Sequence, residues 1–121
     1  MESTAATSEE VEQTAACCTA THDLTEDAIR EDVRLLSAVG NETRYETLRY
    51  IAGAGDEGAC VCELPPLIGV TQSTVSTALS RLHEAGLLSR RKEGRWRYYT
   101  ATEEAEQLLE TLDSRREATD E

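Results

Sequence analysis

At 121 residues the chain is long enough for one domain with tails, and too short for a barrel or a dinucleotide-fold enzyme. With no Phe, one Trp and four Tyr, large core residues are scarce, so burial of further apolar surface by a second copy is expected. Twenty-four acidic residues against twelve basic ones give a net charge of −12; no apolar run nears the ~20 residues of a membrane span, and no leader pattern is present, so a cytoplasmic protein without a membrane partner is expected.

Residues 1–22 are rich in Ser, Thr, Ala and Glu and read as a mobile arm that carries the pair Cys17-Cys18. From Thr25 the pattern turns helical: Thr25 can cap, Glu26 and Asp27 suit the positive end, and Ile29, Val33 and Leu36 form one stripe. The stripe ends near Val39-Gly40. Asn41 restarts a helix whose inner face is Tyr45, Leu48, Ile51 and Ala52. The three glycines between residues 53 and 58 mark a loop. Pro65 and Pro66 fit only a first helical turn, so a short helix should run from Leu64 or Pro65 to Ile68, with Cys60 and Cys62 at or before its start.

Thr71 caps the next helix, in which Val75, Leu79 and Leu82 face inward and Ser73, Ser76, Thr77 and Ser80 face outward. Short helix, glycine turn and longer helix have the form of a helix-turn-helix. Leu87–Arg91 and Arg95–Thr100 read as two strands joined at Glu93-Gly94, with Trp96 and Tyr98 packing beneath the hairpin and Arg95, Arg97 and Tyr99 on its other face. Thr102 caps a last helix with the stripe Ala105, Leu108, Leu109 and Leu112, and with Arg115 and Arg116 near its end. The fold expected is mainly α with a small β-hairpin, a winged helix-turn-helix over residues 23–116 with a polar tail at 117–121. The first and last helices, with no evident partner inside so small a domain, are the expected dimer interface.

Charge is unevenly placed. The segment from Cys60 to Thr100 is +3 and the rest of the chain −15. DNA binding depends on the local basic footprint, not the total. Eleven of the twelve basic residues are Arg and one is Lys. Heavy acidity with scarce Lys suits a cytosolic protein of a salt-loving microbe, since at about 1 M salt the Debye length is about 3 Å and self-repulsion is screened.

Three stretches resemble the ArsR/SmtB family of metal- and metalloid-responsive repressors. Gly40-Asn41-Glu42-Thr43-Arg44 is similar to that family's helix start, and Cys60-Val61-Cys62-Glu63-Leu64 to its metal box. Thr71-Gln72-Ser73-Thr74-Val75-Ser76, followed by Glu84-Ala85-Gly86-Leu87 and Gly94-Arg95-Trp96-Arg97-Tyr98-Tyr99, is similar to its recognition helix and wing. The likeness spans about residues 30–112. Thr77-Ala78 stands where the family often has two His, Pro65-Pro66 is unusual in the metal-box helix, and the last helix has no His for the zinc site that some relatives carry there. The resemblance implies a homodimeric repressor on a double-stranded DNA operator. It also implies a site in which the arm of one protomer meets the metal box of the other.

The chemistry of the cysteines agrees. Four thiols without an export signal read as ligands more readily than as disulfides. A helix start favours the thiolate, and thiolates select soft ions. Cys60, Cys62, Cys17 and Cys18 are the candidate ligands, and His22 a possible fourth for zinc. Arsenite or antimonite, the inducers expected first, need three thiolates; Zn and Cd prefer four ligands, and Pb is a further soft candidate. For DNA, Gln72 suits adenine; Ser73, Thr74, Ser76 and Thr77 suit base edges or phosphate; Arg81 suits phosphate. His83 reads as structural or near phosphate. Arg90, Arg91, Lys92, Arg95 and Arg97 on the wing suit phosphates or the minor groove. The competing readings are a thiol/disulfide switch or a Zn-, Cd- or Pb-responsive repressor on the same fold, and a winged helix that binds only protein. A thiol enzyme is not expected, since no Cys-x-x-Cys follows a strand and no nucleophile–His–acid set is evident.

Overall fold

The computed structural model describes residues 19–120. In chain order they form α1 (Glu26–Val39), α2 (Glu42–Gly53), a 3-10 turn (Gly55–Glu57), β1 (Ala59–Cys60), a second 3-10 turn (Val61–Glu63), α3 (Leu64–Ile68), α4 (Gln72–Glu84), β2 (Leu88–Glu93), β3 (Trp96–Ala101) and α5 (Glu103–Asp120). The expected caps are made. The side chains of Thr25, Asn41 and Thr71 accept from the N–H groups of Ala28, Arg44 and Thr74 at 3.1, 3.0 and 3.1 Å, each bond worth about 1 kcal/mol. Gly69, at φ +86, ends α3 in the left-handed region and turns the chain into α4.

The core is aliphatic. Leu48 and Ile51 of α2, Leu64 of α3, Val75, Leu79 and Leu82 of α4, and Leu87 are almost fully enclosed, and Tyr99 of β3 joins them. The stripe of α1 stays outside: Ile29, Val33 and Leu36 are 38%, 52% and 59% exposed, while Ala38 near the helix end packs inward. The last helix departs from expectation, because part of its stripe finds partners within its own domain. Thr102 N–H donates to Leu87 O at 3.1 Å and Thr102 Oγ1 to Gly86 O at 2.8 Å. This anchor holds the first turns of α5 on the core, where Ala105 and Leu109 are buried; Leu108 and Leu112 remain half-buried. The helix also continues to Asp120, so Arg115 and Arg116 sit inside it rather than at its negative end. Arg116 is ion-paired with Asp113 one turn earlier.

The sheet has the order β1-β3-β2, antiparallel throughout. Strand β1 was not expected; two residues carry no alternation. It pairs Ala59 with Tyr99 and Cys60 with Tyr98. Gly58 makes this approach possible. It has φ +81, and a Cβ there would lie 2.6 Å from Tyr99 O. In the wing, Glu93 pairs with Trp96, so the turn is Gly94-Arg95, one residue later than expected. The faces also differ from expectation. Leu88 opposite Ala101 and Arg90 opposite Tyr99 share one face, which is apolar near the body and basic toward the tip. Tyr99 is therefore the aromatic in the core, while Trp96 is 49% exposed.

Candidate functional site

Cys60 closes β1 and is buried, whereas Cys62 lies in the following 3-10 turn and is exposed; both are free thiols. The register of β1 on β3 fixes the first, and the turn into α3 brings the second back toward it. Their Sγ atoms are 2.8 Å apart. The Cys62 thiol is pushed up from its ordinary pKa by its bond to Cys60, then by partial desolvation from its neighbours and by the charges of Cys60 and Glu63. This opposes the expected lowering at a helix start. Helix α3 is five residues long with proline in its first turn, so its N-terminus has too few free N–H groups to outweigh a neighbouring thiol.

The pair suits a thiophilic ion. Tetrahedral bonds of about 2.3 Å hold two sulfurs about 3.8 Å apart, so the two Sγ atoms would open by about 1 Å. Among the described residues no three His, Cys, Asp or Glu side chains are grouped to hold an ion. Cys17 and Cys18 lie outside the described residues. His22 belongs to no such group, and its Nδ1 accepts from Leu24 N–H at 3.2 Å.

Helix α4 presents its polar residues in two rows. Gln72, Ser76 and Ser80, spaced by four, face a cavity of about 350 Å³ between α4 and the wing, and Cys60 and Cys62 line the same cavity. Arg90, Arg95, Arg97 and Trp96 line it from the wing. Ser73, Thr74 and Thr77 face a second cavity of about 300 Å³, shared with Asn41, Thr43 and Arg44 at the start of α2. Arg81 is exposed one turn beyond Thr77 and lines neither.

The wing arginines are not equivalent. Arg91 donates to Glu93 at 2.9 Å and to Glu57 O at 3.0 Å, and its guanidinium lies 4.9 Å from the centre of the Tyr98 ring. Arg90, Lys92, Arg95 and Arg97 form no ion pair among the described residues. Two contacts that position the site had no signal in the sequence. Arg44 donates to Ala38 O at 2.8 Å and Ser37 O at 3.0 Å, clamping the end of α1 to α2. Arg49 grips Asp113 with two bonds, of 2.8 and 3.3 Å, across 64 residues of sequence. Trp96, exposed and lining the same cavity as the thiols, carries no sequence signal of that position, since strand alternation alone puts it on the packing face of the wing.

Comparison with known proteins agrees with this geometry. The model of the arsR family of bacterial regulatory proteins matches residues 41–90. A Halobacterium salinarum protein that carries the name of an arsenical resistance operon repressor, ArsR2, is 58% identical over 101 residues, 84% of each chain. HlyU from Vibrio cholerae superposes with a TM-score of 0.62 at 31% identity, over 73% of this chain and 94% of that one. The homodimeric winged helix-turn-helix DNA-binding domain Mb0332 of Mycobacterium bovis shares the fold, with a TM-score of 0.69 at 23% identity over 83% and 91%. A family model seated on the helix-turn-helix and a relative similar along most of both chains lead to one assignment: the chain belongs to the arsR family, DNA-binding transcription regulators and not enzymes.

Proposed function

We propose that the chain is a homodimeric repressor that holds a double-stranded operator and releases it when cysteine thiolates take up trivalent arsenic or antimony. The observation that carries this reading is the pair of free thiols, Cys60 and Cys62, 2.8 Å apart against the outward face of α4. The names of the Halobacterium relatives, arsenical resistance operon repressors, support arsenic as the effector. Arsenite, as As(OH)3, exchanges its three hydroxyl groups for three thiols; each S–H proton leaves with a hydroxyl, so three As–S bonds form and three waters are released. Cys60 and Cys62 supply two of the thiols, and the arm pair Cys17 and Cys18 is the source of the third. DNA is held by Gln72, Ser73, Thr74, Ser76, Thr77 and Arg81 of α4 and by Arg90, Lys92, Arg95 and Arg97 of the wing, with Arg91 bracing the wing from within. The exposed stripe of α1 and the half-buried Leu108 and Leu112 of α5 form the dimer contact.

The test is titration of the fully reduced protein with arsenite, counting free thiols and following thiolate-to-arsenic absorbance. Loss of three thiols per arsenic, saturating at one ion per protomer, is expected. No thiol loss, with Zn, Cd or Pb bound instead, would overturn arsenic as the effector. Failure of every ion to bind would leave oxidation of the thiol pair as the trigger.

A further inference from the structure

The thiol pair and part of the DNA-facing surface open onto the same cavity. Arg90, Arg95 and Arg97 line it from the wing, and Gln72 and Ser76 line it from α4. No described carboxylate lines it, in a chain with 24 of them. Three arginines around one cleft repel one another unless an anion sits between them, and phosphate is one of the anions whose geometry the guanidinium fork matches. Of the two thiols, Cys62 is the exposed one.

We infer that this cleft receives a DNA backbone phosphate beside Cys62, so that the phosphate and an ion on the thiols exclude each other from one place. The inference rests on the DNA-binding reading and gives its release step a cause. Cys60 is buried and Cys62 exposed, so an ion held by both sulfurs would sit on the cleft side of the pair. Release then needs no signal across the dimer, because the effector stands where the phosphate was.

The experiment uses the full reduced chain and a mixed-sequence duplex of about 30 base pairs at about 50 mM salt, where sequence-independent binding is strong. Iodoacetamide labelling of Cys62, read by peptide mass, is expected to slow at least about tenfold when the duplex is bound, because the phosphate that it contacts blocks the thiol. Equal labelling rates with and without bound duplex would overturn the inference while leaving DNA binding intact. As a second measure, Cys62→Asp is expected to bind the duplex about tenfold more weakly than Cys62→Ser, one added negative charge being set against a phosphate. Thr119→Asp, near the end of α5, controls for the charge itself. Equal affinity of the two Cys62 variants would also overturn the inference. A chain that binds no duplex at any salt would instead overturn the DNA-binding reading beneath it.

Discussion

Arg91 and Arg95 stand four residues apart on one hairpin and do different work. Arg91 spends its donors on Glu93 and Glu57 O and lies over Tyr98, so it braces the wing against the loop before β1. Arg95 and Arg97 have no such partners among the described residues and are the pair proposed for phosphate. Replacing both with Ala should weaken binding to every sequence and reduce the slope of log affinity against log salt by about two. Arg91→Ala should leave that slope unchanged and lower the melting temperature by a few degrees, since contacts this exposed contribute about 1 kcal/mol or less. Cys60→Ser should raise the arsenite concentration that halves DNA binding at least about tenfold, because a hydroxyl is a poor ligand for a soft ion. The thiol spacing was legible because two residues in sequence carry it. The proximity of the thiols to Gln72 and Ser76 was not, because it depends on β1 pairing with β3.

At the level of elements, capping chemistry was the clearest signal: each of the four long helices starts beside the Thr or Asn that the sequence nominates. Strand β1 and the wing register escaped, the one too short to alternate, the other fixed by Leu88 opposite Ala101 at the base of the hairpin rather than by its glycine. The stripe of α1 was readable in composition and keeps its exposure in the single chain. Val33→Asp or Leu36→Asp should convert the dimer to a monomer at micromolar concentration, measured by sedimentation. An unchanged dimer would move the interface elsewhere. The link between α2 and α5 gives a pH signature. Arg49 holds the Asp113 carboxyl below its ordinary pKa, which favours the folded state while Asp113 is ionised. That contribution is complete above the unfolded pKa of about 3.9 and is lost as pH falls through the lower folded value. The melting-temperature gap between the parent and Asp113→Asn should therefore be constant near neutrality and close on acidification.

Across the whole molecule, charge is divided along the chain: +3 over residues 60–100, the segment proposed to meet DNA, and −15 over the rest. Salt acts on the two in opposite directions. Screening relieves repulsion within the acidic body, so the melting temperature should rise as KCl increases toward about 1 M. The same salt competes with the wing for phosphate, so DNA affinity should fall over that range. A melting temperature indifferent to KCl would show that the acidic residues do not strain the fold. This asymmetry was legible from charge counting; which arginines stay free to use it was not. Trp96 adds a practical consequence. It is the chain's single tryptophan and lines the cleft that the thiols share with α4. Its near-ultraviolet emission is thus an unlabelled optical reporter of that one place. Quenching by an arsenical, or a shift on duplex binding, is the expected signal there, read in real time with no dye attached to the surface under test.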